Sequence, residues 1–161
     1  MADNFTIRIE GLDKLQQNFR EAGVNYKSMF QQAMIRATQQ IQNKARDNIR
    51  MNGTTYQGNL ARSITVREAT ESRGIVAVSE TYGLPVELGR KPGTMPPSAP
   101  LERWAQVKLG QSGLGFVIAR KIKREGTKAQ PFMEPTFKSE ADFVLQQFNE
   151  ATRQLVMAMG Q

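Results

Sequence analysis

Histidine and cysteine, which supply most nucleophile pairs and most protein zinc ligands, are both absent from this chain of 161 residues. A Ser–His or Cys–His pair and an ordinary zinc site are therefore excluded. Acid–base chemistry would depend on Asp, Glu, Lys or Tyr. The acid in the most distinctive setting is Glu87, which ends the apolar segment 84–88 in YGLPVELGRKPG. No second titratable group is placed by the sequence to assist it. Because His and Cys are also absent, an enzyme is the least favoured class of function, and we expect no cofactor and no metal.

Three roles are open to Glu87. Its carboxylate could accept backbone N–H bonds from the turn at 89–91 or pair with Arg90, and we favour this role because acids commonly satisfy such turns. It could instead form a salt bridge with the basic helix of a neighbouring subunit. The third role is that of a catalytic acid.

The net charge of +7 is concentrated in one stretch of the chain. Residues 84–128 carry nine Lys or Arg against three acids, whereas residues 129–161 carry two against four. Such a stretch is typical of a surface that meets nucleic acid or an acidic protein, and the alternative is a solvated face. The residues predicted to contact a partner or DNA are Glu87, Arg90, Lys91, Arg120, Lys121, Lys123 and Arg124.

The elements that must position these residues begin with a strand and a long helix. FTIRIEG alternates apolar and polar residues from Phe5, which predicts a half-buried strand, and a short helix is predicted over 11–23. The strongest pattern predicts a helix over 27–50, ended by Asn52-Gly53. Its apolar or small residues recur at steps of three and four: Phe30, Met34, Ala37, Ile41, Ala45 and Ile49.

A hairpin and a second long helix complete the predicted frame. A glycine-containing loop precedes strands near 63–69 and 74–79, whose polar connection predicts antiparallel pairing. The terminal helix carries Pro135 in its first turn. Its predicted buried stripe is Phe137, Ala141, Val144, Phe148, Ala151 and Leu155. We therefore predict an α+β fold, with a small, mainly antiparallel sheet covered by two long helices.

A loop-helix insertion is predicted at about 84–128, within one domain that spans 1–161. Prolines and glycines make 89–100 a stiff, extended loop. Ser98 is predicted to cap a helix that buries Leu101, Trp104 and Val107. A flexible connection through Gly110, Gly113 and Gly115 then leads to the basic helix, which is predicted to bury Phe116. Tyr82 and Phe132 are predicted to be core residues.

The order of the motifs resembles a phage family. The long helix leads to GNLARSI at 58–64, YGLPVELGRKPG follows at 82–93, and AQPFMEP at 129–135 precedes the terminal helix. This order resembles the tail-component family of tailed bacteriophages of the HK siphophage type, also called neck or tail-completion proteins. The resemblance covers nearly the whole chain. Family members generally have a proline just before the glycine of GNLARSI, whereas residues 54–57 here are Thr, Thr, Tyr and Gln.

The resemblance implies a structural component of the virion at the head–tail junction or upper tail, assembled in the host cytoplasm. It implies a homo-oligomeric ring, with sixfold symmetry first and twelvefold as an alternative, and other phage neck and tail proteins as partners. Packaged DNA is a further expected contact. The alternative function is a basic protein that grips DNA phosphates without reading sequence. No apolar run approaches the roughly 20 residues that span a bilayer, and no secretory signal is expected.

Overall fold

The computed structural model of the chain describes residues 4–8, 25–53 and 58–159. The helix predicted over 11–23 and the predicted loop residues 54–57 lie outside this range. The described residues form two compact units. The first unit runs up to Thr81 and resumes at Phe132, and the second unit is Tyr82–Pro131. The predicted insertion at about 84–128 lies within the second unit.

The first unit contains a three-stranded antiparallel sheet. Strands β1 (Asn4–Arg8), β2 (Ile64–Ala69) and β3 (Arg73–Val78) lie in the order β1-β3-β2. A β-bulge between Val66 and Glu68 shifts the register of β2 against β3. The N–H of Thr70 donates to the carbonyl of Arg73 at 2.8 Å and closes the β2–β3 turn. The predicted first strand and the predicted antiparallel hairpin are both confirmed.

Helix α1 (Tyr26–Met51) packs against β2 and β3. It begins after Asn25, whose side chain accepts a hydrogen bond from the Ser28 N–H, as an N-cap does. It ends at Asn52-Gly53, as predicted, where Gly53 has a φ of 66°. Every residue of the predicted apolar stripe is buried, which confirms the helix predicted over 27–50.

Helix α6 (Met133–Met159) packs along α1. Three polar pairs join the two helices: Asn48 with Thr136 (2.8 Å), Gln40 with Glu140 (2.9 Å) and Arg36 with Gln147 (2.8 Å). Residue numbers rise along α1 as they fall along α6, so the helices run antiparallel. Each of these hydrogen bonds needs its specific partner, so together they favour this axial alignment of the two helices over one in which a helix is displaced along the other. Together with the sheet, the two long helices confirm the predicted α+β class.

The predicted buried stripe of α6 is right at Ala151 and Leu155, which are buried, and wrong at Ala141, which is exposed. The other three residues of the stripe, Phe137, Val144 and Phe148, are half-buried. The buried position next to Ala141 belongs to Glu140. Its carboxylate accepts a hydrogen bond from Gln40 of α1, which offsets the cost of burying it. The apolar pattern of α6 alone does not reveal this polar partner.

A short helix, α2 (Asn59–Ser63), replaces part of the loop predicted before β2. It buries Leu60 and Ala61, and Arg46 of α1 satisfies carbonyls at its end. The Arg46 guanidinium donates to the carbonyls of Ala61 (3.1 Å) and Ile64 (2.8 Å). Helices this short are marginal in isolation. The short helix α2 therefore depends on hydrogen bonds from Arg46, which is distant from it in sequence.

The second unit contains α3 (Gly83–Leu88), α4 (Ser98–Leu109) and α5 (Gly115–Glu125). The predicted proline-rich loop lies between α3 and α4, and Pro100 falls in the first turn of α4. Ser98 does not cap α4, because it is already the first helical residue; Pro97 occupies the cap position. None of the described helices is long and apolar enough to cross a membrane.

Candidate interaction surface

The predicted contact residues of the loop and of the basic helix are held near each other by a backbone clamp. Arg90 and Thr127 exchange two backbone hydrogen bonds, at 3.0 and 2.8 Å. The N–H of Gly93 donates to the carbonyl of Lys123 at 2.8 Å. The segment that carries Arg90 and Lys91 is therefore fixed against the end of α5. We call these bonded segments, 89–93 and 123–127, the clamp.

Gly126 is required by this clamp for two reasons. Its φ of 74° lies in the region that favours glycine. A Cβ at this position would also overlap the carbonyl oxygen of Arg90. Only glycine allows the two segments to approach closely enough to pair.

Glu87 lies in the last turn of α3 and is only 8% exposed. The N–H of Arg90 donates to Thr127, so this donor of the turn is used by the clamp. The N–H of Gln130 donates to the carbonyl of Val86 at 2.8 Å and ties α3 to the chain after α5. Glu87 is therefore largely shielded from solvent within the second unit. Its salt bridge to a neighbouring subunit stays a prediction.

The cations predicted on the basic helix all lie on the outside of α5. Arg120, Lys121, Lys123 and Arg124 are exposed. The Arg124 guanidinium and, at 4.0 Å, the Lys121 ammonium approach the Glu125 carboxylate, and together they lower the pKa of Glu125. Within the described part of the chain, Arg120 and Lys123 have no carboxylate within 4.0 Å.

Large apolar side chains accompany these cations on the surface of the second unit. The unit exposes seven of the twelve exposed large apolar side chains in the described residues. They are Tyr82, Leu84, Leu88, Val107, Leu109, Phe116 and Val117. The predictions that Tyr82, Val107 and Phe116 are buried are therefore wrong, whereas Phe132, in the first unit, is buried as predicted.

The large apolar side chains of the second unit are exposed because α4 and α5 pack against each other through small residues. The buried residues of these helices are Ala105, Gly115 and Ala119. Gly115 lies so close to α4 that a Cβ there would contact the Ser98 carbonyl oxygen at 2.6 Å. Small residues let the helices approach closely, and the large side chains then have no interior to enter. Trp104 is correspondingly only half-buried.

The glycine-containing connection between α4 and α5 is held by a carboxylate. Glu102 accepts hydrogen bonds from the N–H groups of Gly113 (2.5 Å) and Gly115 (2.7 Å), and these bonds hold its pKa below the usual value. Gly115 is the first residue of α5, so the prediction that it belongs to a flexible connection is wrong. The N–H groups of Gly113 and Gly115 already donate to the Glu102 carboxylate, so they are not available to bind a phosphate.

A second exposed stripe was not predicted and lies on α6. Its residues, spaced at helical intervals, line a shallow groove: Asp142, Leu145, Gln146, Asn149, Glu150 and Arg153. The excess of acids over cations in 129–161 was its only signal in the sequence. The described residues contain no cluster of acids suited to a metal ion.

Searches of protein-family models, curated proteins and solved structures found no match to this chain.

Proposed function

We propose that the protein is a structural component of a tailed-phage virion at the head–tail junction. It joins head-proximal and tail proteins during assembly, as a neck or tail-completion ring. The motif order of the sequence supports the phage assignment, and the surface of the second unit supports a protein that works by binding other proteins.

The observation that carries this proposal is the inverted burial pattern of the second unit. The residues it buries are Gly83, Glu87, Ala105, Gly115 and Ala119, while seven large apolar side chains are exposed. Exposed apolar side chains rimmed by charges are typical of protein–protein interfaces. A unit that docks on neighbouring proteins would bury these side chains after assembly.

The proposal is tested in the genome that encodes the chain by an amber mutation in its gene. We expect separate filled heads and separate tails by electron microscopy, with joined particles restored by the gene supplied in trans. Normal joined particles from the mutant would contradict the proposal.

Contact with DNA phosphates is the second candidate, and the exposed cations of α5 favour it. Phosphate contacts release counterions, so binding would weaken with a log–log salt slope of about −0.9 per phosphate neutralised. An acidic protein partner gives a weaker salt response, because exposed pairs are only screened. We favour the protein partner, since a lumen that gripped DNA would hinder its passage during ejection.

Changing Arg120, Lys121, Lys123 and Arg124 together to Gln separates the two candidates. We expect head–tail joining to fail while the affinity for free duplex, measured across a salt series, is unchanged. Lost duplex affinity with normal joining would instead support the DNA role. No change in either would return the cluster to a solvated face.

A further inference from the structure

We propose that one face of α5 binds an acidic protein surface, in which carboxylates border an exposed apolar side chain. The residues of this face are Phe116, Arg120 and Lys123, and we call them the docking face. They follow each other at steps of four and three, so they share one side of the helix. The inference deepens the proposed function and rests on it for the neighbouring virion protein that would carry the acidic surface.

The three carboxylates of the second unit are all engaged within the unit. Glu87 is buried. Both carboxylate oxygens of Glu102 accept hydrogen bonds from backbone N–H groups of the turn before α5. Glu125 is paired with two cations of its own helix. No unengaged carboxylate of the unit would therefore repel an acidic partner that approaches the docking face.

The cations of the second unit outnumber these acids. Residues 82–131 contain nine Lys or Arg against three acids. Only Lys121 and Arg124 have a carboxylate within 4.0 Å in the part of the chain that the structure describes. Arg120 and Lys123 are exposed and belong to the other seven. A carboxylate of a partner would add attraction at these two cations without breaking an existing ion pair, so the charge pattern favours an acidic partner.

The clamp adds a further cation to the C-terminal end of the docking face. The N–H of Gly93 donates to the carbonyl of Lys123 at 2.8 Å, and Arg90 pairs with Thr127. The exposed Lys91 lies between the two bonded residues of the loop, so the clamp holds it beside the end of α5. A partner would thus meet cations from two segments whose backbones are already fixed. Less backbone entropy is then lost on docking.

Phe116 favours a protein over DNA as the occupant. It lies in the first turn of α5 and is 60% exposed, and the adjacent Val117 is 59% exposed. Apolar side chains gain free energy when other apolar atoms remove them from water. The phosphates that supply most of the affinity for DNA offer no such contact, whereas a protein surface supplies apolar atoms as well as carboxylates.

The spacing of the docking face sets the spacing expected in the partner. Four residues separate Phe116 from Arg120, and seven separate it from Lys123, which corresponds to about 6 and 10.5 Å along the helix. The carboxylates of the partner should therefore lie about one to two helical turns from its apolar side chain.

Four probes test the occupant with the full chain. The first is a fluorescein-labelled helical peptide in which Glu residues flank Leu residues at helical spacing. The second peptide has Ser for every Leu, the third has Gln for every Glu, and the fourth probe is a short DNA duplex. Fluorescence anisotropy at one salt concentration gives the four Kd values. We expect the first peptide to bind at least about tenfold more tightly than each of the other probes.

Two variants assign the contacts within the docking face. Phe116→Ser should weaken binding of the first peptide at least about fivefold and leave binding of the Ser peptide unchanged, because that peptide has no apolar side chain to lose. Arg120→Gln with Lys123→Gln should weaken binding of the first peptide at least about tenfold and leave binding of the Gln peptide unchanged. A general disturbance of the fold would instead weaken all the peptides alike.

Matched controls place the same changes on the first unit. Leu145→Ser, at a position of α6 that is 61% exposed, matches Phe116→Ser. Lys27→Gln with Arg67→Gln, on exposed residues of α1 and β2, matches the change of two cations. Both controls should bind the first peptide like the wild type. All of the substituted residues are exposed, and circular dichroism melting checks that each variant folds.

Several outcomes overturn the inference. Equal binding of the three peptides overturns it, as does a first peptide whose affinity neither docking-face variant changes. A duplex that binds more tightly than the first peptide would assign the cations to DNA and overturn it as well. These measurements use the purified chain, so they can fail while the amber mutant still leaves heads and tails unjoined. Joined particles from that mutant would overturn the proposed function and leave the docking face standing.

Discussion

The two units of the chain differ in what they place inside. The first unit buries large apolar side chains, among them Met34, Ile41 and Leu155, in the seams between α1, α6 and the sheet. The second unit buries glycines, alanines and one carboxylate, and exposes its large apolar residues. Its order depends on backbone hydrogen bonds and on Glu102. The difference teaches that the first unit is stabilised by its own core, whereas the large apolar side chains of the second unit are left on its surface, where we propose that a partner binds.

The largest expected effect tests the core of the first unit. Ile41→Asp places an unpaired charge at a buried position of α1, and we expect about 3–5 kcal/mol of destabilisation in urea unfolding. Ile35→Asp is the matched control on the same helix, because Ile35 is 37% exposed, and it should cost far less. Equal effects would mean that the α1 stripe is a partner surface and not core.

The same truncation in each unit tests the contrast directly. Leu155→Ala removes a buried side chain from α6 and should cost about 2–5 kcal/mol, from lost burial and the cavity left behind. Leu88→Ala removes an exposed side chain and should change stability by no more than about 0.5 kcal/mol. Thermal unfolding of both variants measures the difference. A large loss of stability in Leu88→Ala would contradict the contrast, because it would mean that Leu88 contributes to an apolar core in the second unit.

A third prediction concerns the clamp. Gly126→Ala adds strain at a positive φ and an overlap with the Arg90 carbonyl, so we expect the Arg90 and Thr127 amides to exchange faster with solvent. Gly110→Ala is the control, since Gly110 has a φ of 67° but nothing within 4 Å of an added Cβ. Amide hydrogen exchange should leave the first unit unchanged in both variants. If the Arg90 and Thr127 amides exchanged equally fast in the Gly126→Ala and Gly110→Ala variants, the close approach of Gly126 to Arg90 would not be what stabilises the clamp.

The smallest effect concerns Glu102. Its pKa is lowered in the folded chain, so its stabilising contribution is present above the ordinary glutamate pKa of about 4.3 and is lost as the pH falls through the lowered value. The amide proton shifts of Gly113 and Gly115 should titrate in this acid range. Glu102→Gln should abolish that titration, whereas Glu134→Gln, on α6, should keep it. Persistence of the titration in Glu102→Gln would assign it to another group.

The amino-acid sequence by itself determined the periodic elements and the location of the charge. The apolar spacing of one segment defines α1, because residues at steps of three and four fall on one side of the chain only in a helix. These residues are Phe30, Met34, Ala37, Ile41, Ala45 and Ile49. The alternating strands and their polar turn define the hairpin. The cations of α5 are exposed because a helix cannot bury four of them in five positions without partners.

Only the tertiary structure decided which apolar residues of the second unit are inside. Phe116 and Val107 occupy helical positions that would be buried if α4 and α5 met through large side chains, but the helices meet through Ala105, Gly115 and Ala119. The same holds for α2, which depends on Arg46, and for Glu140, which depends on Gln40. A periodic pattern shows that a helix has two faces, but the partner that covers a face comes from a segment distant in sequence. Whether a face is core or surface is therefore settled by packing and not by local propensity.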